Sequence, residues 1–134
     1  MPDTYCILAM TNQDLYPDED WEYTVGAAVP ETGCGVFSFC REQVGFNGEK
    51  SNKTEEEKRL TGIKRAVDTM THEISHMFGL EHCIYYECEM NGTSGPGDGI
   101  PVKNPTLCSV CLLKLKLNIK FDTKERYLKL AEAC

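Results

Sequence analysis

The sequence has few histidines, no excess of positive charge and no long apolar segment. Among 134 residues there are three histidines and one tryptophan, and the formal net charge at pH 7 is −7. Nucleic-acid phosphates require a basic surface, so a nucleic-acid partner is not expected. No apolar run reaches the roughly twenty residues that cross a bilayer, so no membrane span is expected. A chain of this length builds one modest core, which predicts a single monomeric domain over residues 1–134.

The three histidines all lie in one eleven-residue window, HEISHMFGLEH, from His72 to His82. An α-helix repeats every 3.6 residues, so His72 and His76 lie one turn apart on the same face. Gly79 can end the helix and turn the chain back, because it adopts backbone conformations that side chains resist. The pattern therefore predicts one zinc ion on His72, His76 and His82. The fourth tetrahedral position is left to water, as in catalytic sites.

Glu73 stands beside the first histidine, where a catalytic base is needed. A zinc-bound water has its pKa lowered to about 7, and Glu73 can accept its proton and later pass it to a leaving amine. This predicts zinc-dependent hydrolysis of peptide bonds. The alternative interpretation of Glu73 is a solvated helix carboxylate, which its neighbours disfavour. Tyr85 and Tyr86 lie near in sequence, and packing is the role expected of them.

The eight cysteines include two closely spaced pairs. Cys83 and Cys88 form one, Cys108 and Cys111 the other, and a loop rich in glycine and proline separates them; this spacing suits a structural zinc site of four cysteines. An even cysteine count also permits disulfides. The N terminus, however, has no apolar secretory segment, and thiols of unexported proteins stay reduced. The sequence thus predicts a second zinc and an intracellular location, in the cytoplasm or also in the nucleus.

These segments resemble the archaemetzincin family. The resemblance is carried by residues 72–83, by CEM at 88–90 and by CSVC at 108–111, and residues 6–8, 14–17 and 33–39 are similar too. Archaemetzincins are metzincin-type zinc peptidases with a four-cysteine zinc beside the catalytic one. The resemblance implies two zinc ions, a peptide or protein substrate, and peptidase or aminopeptidase-like activity. It also implies that Met90 forms the Met-turn and that residues 23–29 form the edge strand that pairs with a peptide.

Two other classes of function remain open at the level of sequence. Family members carry a strand and a long helix before the segment that begins here, so this N-terminal strand and helix are expected to be missing. A catalytically weak or inactive zinc-containing peptide-binding domain is therefore one alternative. A purely structural double-zinc module is the other. Glu73 argues against both, since a structural site needs no base beside it.

The predicted fold is α+β and metzincin-like or zincin-like: a short twisted mixed sheet, a long active-site helix and a helical C-terminal part. Strands are predicted over residues 4–10, 23–29 and 36–39, the first of them buried. The long helix should begin near residues 53–56 with Thr54 as its N-cap. Its apolar stripe should lie in the core: Leu60, Ile63, Val67, Met70, Ile74 and Met77. Residues 83–134 should hold the Met-turn, an irregular loop at 91–105, and helices at 108–117 and 123–133.

Overall fold

A computed structural model describes residues 5–20, 22–46, 48, 50–92 and 106–133 of the chain. Strands β1 (Ile7–Thr11), β2 (Gly26–Val29) and β3 (Cys34–Ser38) form one sheet in the order β1-β3-β2. Strand β1 runs parallel to β3, and β2 runs antiparallel to it. The predicted short mixed sheet is therefore confirmed, with β2 at an edge. Strands β1 and β2 begin three residues later than predicted, β3 begins two residues earlier, and β2 ends at the predicted residue.

The helices are a short 3-10 helix at Cys40–Glu42, α1 at Glu55–Met77, α2 at Ser109–Ile119 and α3 at Thr123–Ala133. Helix α1 begins where the sequence predicts. The Glu57 N–H donates to the Thr54 hydroxyl at 3.3 Å, and the Glu57 carboxylate accepts from the Thr54 N–H at 2.7 Å. This reciprocal capping box satisfies two N–H groups that the first turn leaves without partners. Most of the predicted loop at 91–105 lies outside the described residues.

The sheet contacts only part of α1, so the predicted core stripe is wrong over the first half of the helix. Leu60, Ile63 and Val67 are 47%, 47% and 46% exposed, whereas Met77 near the helix end is 4% exposed. A helix of 23 residues is about 34 Å long. A five-residue strand is only about 17 Å long. The sheet therefore covers the second half of the helix, where the histidines lie.

Strand β1 is also less buried than predicted. The structure leaves Ile7 61% and Met10 60% exposed, because β1 is an edge strand and α1 packs mainly on β2 and β3. Phe37 in the central strand is fully buried. Gly35, also in β3, lets the helix approach closely, since a Cβ atom there would lie 3.0 Å from Met77 Sδ. The core between the sheet and α1 is thus formed by the central strand β3 and the end of α1.

A loop across one end of the sheet ties β1 to β2. Arg41 donates from Nε and Nη2 to the Asp14 carboxylate at 2.7 and 2.5 Å, and its guanidinium lies 3.6 Å from the centre of the Tyr23 ring. The Thr24 N–H donates to the Leu15 carbonyl at 2.8 Å. Hydrogen bonding to Arg41 lowers the pKa of Asp14 below its usual range. The sequence indicated only a polar turn here.

The C-terminal part has its own small core: Leu80, Cys83, Cys88, Met90 and Cys111. Helix α2 begins one residue later than predicted, because Cys108 is its N-cap. At its other end the Asn118 amide donates to the Phe78 carbonyl, which joins α2 to the end of α1. Helix α3 matches its predicted bounds and contains no buried residue among those described. Within the described segments, no helix is both long enough and apolar enough to cross a bilayer.

Candidate metal centres

The structure brings the three histidines together as their spacing predicts. Their candidate ligand nitrogens, one from each of His72, His76 and His82, all lie within 4.8 Å of one another. Helix α1 carries the first two and ends at Phe78. Gly79 then takes a φ of +79°, a left-handed conformation that favours glycine, and the chain returns with His82. The predicted turn at Gly79 is therefore confirmed.

Backbone carbonyls fix the rings of the two helical histidines. His72 Nδ1 lies 2.8 Å from the Glu89 carbonyl oxygen, and His76 Nδ1 lies 2.6 Å from the Leu80 carbonyl oxygen. A carbonyl oxygen only accepts, so each Nδ1 must donate and carry the hydrogen. In the neutral rings each Nε2 then carries a lone pair. Metal-binding histidines are typically held in this way, with one nitrogen anchored and the other presented to the metal.

The two presented nitrogens face each other in a way that requires a cation. His72 Nε2 and His76 Nε2 are 3.0 Å apart. Two lone pairs at this distance repel unless a proton or a metal ion lies between them. In a tetrahedral zinc site with bonds of about 2.0–2.1 Å, two nitrogens lie about 3.3 Å apart. The spacing and the donor chemistry of this cluster therefore fit zinc.

His82 is the exposed member of the cluster, and its ring packs on the backbone of Gly92. A Cβ atom at Gly92 would lie 3.2 Å from His82 Nδ1 and 3.4 Å from Cε1. The ring centre of His82 is 5.3 Å from that of His72 and 5.0 Å from that of His76. Within the described part of the chain, His82 is therefore the histidine of the cluster that solvent reaches most.

Glu73 is half-buried between α1 and strand β2. A Cβ atom built on Gly26 would lie 2.9 Å from Glu73 Cγ and 3.2 Å from Cδ. Burial raises the pKa of Glu73, and the neighbouring His82 opposes that shift. A carboxylate with a raised pKa holds a transferred proton more readily than an exposed one, which suits a general base.

The four predicted cysteines also meet. The Sγ atoms of Cys83, Cys88, Cys108 and Cys111 lie within 4.8 Å of one another, and all the described cysteines are free thiols. The sulfur atoms of Cys83 and Cys108 are 3.7 Å apart. A disulfide would bring them to about 2.0 Å. Tetrahedral zinc with bonds of about 2.3 Å would hold them about 3.8 Å apart, so the cluster fits zinc.

Backbone N–H groups surround the cysteine sulfurs. The Cys108 N–H donates to Cys88 Sγ at 3.2 Å, and the Cys111 N–H donates to Cys108 Sγ at 3.5 Å. Backbone hydrogen bonds from residues 85 and 86 lower the pKa of Cys83 to about 7. Burial raises the pKa of Cys88 and of Cys111. The N–H donors favour the thiolates, while burial makes thiolates costly unless a cation is bound.

A single short loop, residues 82–92, connects the two clusters. The Cys83 N–H donates to the Met90 carbonyl at 2.7 Å. The Asn91 amide donates to the Cys83 carbonyl at 2.7 Å and accepts from the Cys88 N–H at 2.9 Å. Met90 is fully buried in this loop. The sequence analysis missed Asn91, since hydrogen bonds from a side chain to nearby backbone groups leave no spacing pattern.

The expected packing role of Tyr85 and Tyr86 is wrong. Their side chains are 63% and 59% exposed, and Ile84 beside them is 85% exposed. The loop turns them outward because its inner positions are taken by Cys83, Cys88 and Met90.

Comparison with known proteins places the chain in a family. The family model described as Peptidase family M54 matches residues 5–117. Archaemetzincin-2 of Homo sapiens is 33% identical over 146 aligned positions, which cover 93% of this chain and 40% of that protein. Archaemetzincin-1 of Homo sapiens is 29% identical and covers 96% of this chain and 30% of that protein. The chain thus spans well under half the length of these curated relatives.

Solved structures show the same fold. A zinc-dependent peptidase from Methanocorpusculum labreanum superposes with a TM-score of 0.66 at 31% identity, over 82% of this chain and 53% of that one. Archaemetzincin from Methanopyrus kandleri superposes with a TM-score of 0.64 at 25% identity, over 87% and 57%. The small mixed sheet with its long helix is therefore an archaemetzincin-like arrangement. Because the family model covers most of the chain, this protein belongs to Peptidase family M54, the archaemetzincins.

Proposed function

We propose that this chain carries the active site of a zinc metallopeptidase, in which Glu73 is the general base for hydrolysis of a peptide bond. The observation that carries the proposal is the pair of Nε2 atoms of His72 and His76, 3.0 Å apart with both Nδ1 atoms held by carbonyls. Two lone pairs that face each other need a cation between them, and Glu73 directly follows His72 in the sequence. The family assignment supports the same activity.

Each cluster is assigned one zinc ion. His72, His76 and His82 hold the catalytic ion, with the exposed side of His82 open toward substrate. The structural ion is assigned to the cysteine cluster: Cys83, Cys88, Cys108 and Cys111. Met90 is assigned to the Met-turn, since it is fully buried in the loop that joins the clusters.

When bound, the catalytic zinc lowers the pKa of a water molecule and polarises the scissile carbonyl. Glu73 accepts one proton from the attacking water as the oxygen forms its bond to the carbonyl carbon. Glu73 then gives that proton to the amide nitrogen as the C–N bond breaks, and the amine leaves. The raised pKa of Glu73 suits both transfers, because the group must hold a proton between them.

The open edge of β2 offers a place for an extended peptide. The Ser38 N–H donates to the Val25 carbonyl at 2.8 Å, and Gly26 stands opposite Phe37 in the antiparallel register. Hydrogen-bonded pairs alternate along such a ladder, so the main-chain groups of Gly26 and Ala28 point away from β3. A peptide strand can pair with them through its backbone whatever its sequence. We therefore assign peptides or unfolded protein segments as substrates.

The test is cleavage of a broad peptide library by the purified protein, with and without a zinc chelator. Glu73→Ala should keep its zinc by elemental analysis and lose hydrolysis by about 100-fold or more, because general acid–base catalysis contributes on that scale. Glu55→Ala is the matched control, since its carboxylate is 90% exposed at the far end of the same helix. Substrates with free and blocked N termini separate aminopeptidase-like from internal cleavage.

Three results would overturn the proposal. One is hydrolysis by Glu73→Ala at the parental rate. The second is a zinc-loaded parent that cleaves nothing but binds peptides, which would favour the inactive peptide-binding domain. The third is a parent that neither cleaves nor binds peptides, which would favour a structural double-zinc module.

A further inference from the structure

We propose that Gly26 is a positioning residue, which sets where the Glu73 carboxylate sits relative to the peptide-binding edge of the sheet. The inference rests on the proposed function of Glu73. It goes further by naming the strand position that fixes the base.

A side chain larger than that of glycine at this position would displace the Glu73 side chain. A Cβ atom on Gly26 would lie 2.9 Å from Glu73 Cγ, 3.2 Å from Glu73 Cδ and 3.2 Å from the Val36 carbonyl oxygen. Non-bonded carbon atoms normally pack at 3.5–4.0 Å, so an added methyl group and the Glu73 side chain cannot both keep their places. The backbone of Gly26 is not in the left-handed region. Alanine is thus compatible with the strand conformation and conflicts with Glu73.

The same residue faces the substrate edge. In the ladder between β2 and β3, Gly26 stands opposite Phe37 and directs its main-chain groups away from β3. Its carbonyl accepts a hydrogen bond from the Thr24 hydroxyl at 2.7 Å, which fixes the carbonyl direction. Gly26 therefore presents its Cα to the base and its N–H to an incoming strand.

The backbone of β2 would therefore position both the Glu73 carboxylate and the bound peptide. A peptide that pairs with Gly26 is placed by the backbone of β2, and Glu73 is placed by contact with the same backbone. An added methyl group would push the carboxylate away while leaving the pairing edge intact. A displacement of about 1 Å from the reacting atoms can cost roughly 100-fold in rate.

Gly35 provides the matched control. It lies in the neighbouring strand, and a Cβ atom there would lie 3.0 Å from Met77 Sδ, 3.2 Å from Leu8 Cδ1 and 3.3 Å from the Ala27 carbonyl oxygen. None of these atoms belongs to Glu73. Gly35→Ala thus disturbs packing between the sheet and α1 at a similar distance, and the three nearest atoms do not include any of Glu73.

The first experiment measures kcat and KM for a cleaved peptide, with zinc content, for both variants. Gly26→Ala should lower kcat by about 10- to 100-fold, change KM by less than about threefold and keep both zinc ions. Gly35→Ala should keep kcat within about threefold of the parent, even if its melting temperature falls as much as that of Gly26→Ala. An unchanged kcat in Gly26→Ala, or an equal loss in both variants, would overturn the inference.

The second experiment needs no activity, so it separates this inference from the proposed function. Melting temperatures are measured for Gly26→Ala in the parent and in a Glu73→Ala background. The loss of melting temperature caused by Gly26→Ala should shrink by more than half in the Glu73→Ala background, since the two contacts to Glu73 Cγ and Cδ are removed. An equal cost in both backgrounds would refute the contact. If Gly26→Ala fails to fold alone, folding of the double variant supports the inference, and failure of both overturns it.

Discussion

The histidine cluster and the cysteine cluster lie a few residues apart in sequence but differ in how they are embedded. His82 is exposed and the other two histidines are half-buried, whereas Cys83, Cys88 and Cys111 are 6%, 2% and 2% exposed. The Nδ1 atoms of His72 and His76 are oriented by backbone carbonyls, while the cysteines are part of the C-terminal core. This difference in burial supports the proposed assignment of the exposed cluster to catalysis and of the buried cluster to structure.

The two clusters are nevertheless linked through the chain that joins them. Cys83 directly follows His82, and Cys88 directly precedes Glu89, whose carbonyl fixes His72. Loss of the cysteine metal should therefore disturb the histidine site. Loss of the histidine metal should leave the cysteine core largely in place.

The largest expected effect tests this asymmetry. Cys108→Ser with Cys111→Ser should remove one zinc ion and lower the melting temperature by about 10 °C or more, since structural zinc contributes much of the folding free energy in small domains. It should also weaken zinc binding at the histidines, although neither residue belongs to that cluster. Elemental analysis, calorimetry and a competitive zinc titration measure the three quantities.

The converse variant serves as the control. His72→Ala with His76→Ala should lose the other zinc ion. Its melting temperature should lie within a few degrees of that of parent protein whose histidines hold no zinc. Unchanged stability and unchanged histidine-site affinity in the cysteine variant would show that the cysteine cluster is an independent appendage.

A smaller effect is expected from the loop that both clusters share. Gly92→Ala should weaken zinc at the histidines by about tenfold, because its methyl group would press on the His82 ring and supporting residues typically contribute 10- to 100-fold. The cysteine zinc should stay. Gly62→Ala on α1 is the control, since a Cβ atom there would make an ordinary 3.4 Å contact. Equal zinc affinity in Gly92→Ala and parent would contradict the packing role of Gly92.

The smallest effect concerns the bond from α2 to the end of α1. Asn118→Ala should destabilise the protein by about 1 kcal/mol, the usual contribution of one hydrogen bond. It should also weaken histidine-site zinc slightly, because the Phe78 carbonyl lies at the turn that returns His82. Thermal melting measures the first effect and zinc titration the second. Lys114→Ala, at an exposed position on the same helix, should change neither the stability nor the zinc affinity. An equally large loss in Lys114→Ala would show that the effect comes from a weakened α2 and not from the lost hydrogen bond.

Local sequence patterns predicted the elements of the site, but they did not predict the contacts between residues far apart in the sequence. The capping box at Thr54 and the turn at Gly79 are encoded within a few residues, so both were predictable. The carbonyls that orient His72 and His76 belong to residues of any type, so no side chain marks them in the sequence. Gly26 and Glu73 are 47 positions apart, and only the folded sheet brings them together.

The misplaced core stripe has the same physical origin. Leu60, Ile63 and Val67 follow helical spacing, but periodicity predicts which face is apolar and does not predict what covers it. The extent of the sheet decides that, and three short strands reach only the second half of α1.

The bond between Thr24 and Leu15 has a consequence for how this protein meets other chains. Exposed edge strands readily pair with further strands, and such pairing can propagate into aggregates. Leu15 already occupies the edge position just before Gly26, and the ion pair of Asp14 with Arg41 anchors that segment. Strand β2 is only four residues long, so only a short length of edge is left for pairing. The segment around Leu15 therefore blocks this end of the edge, so that a long strand paired with β2 could not extend past Thr24.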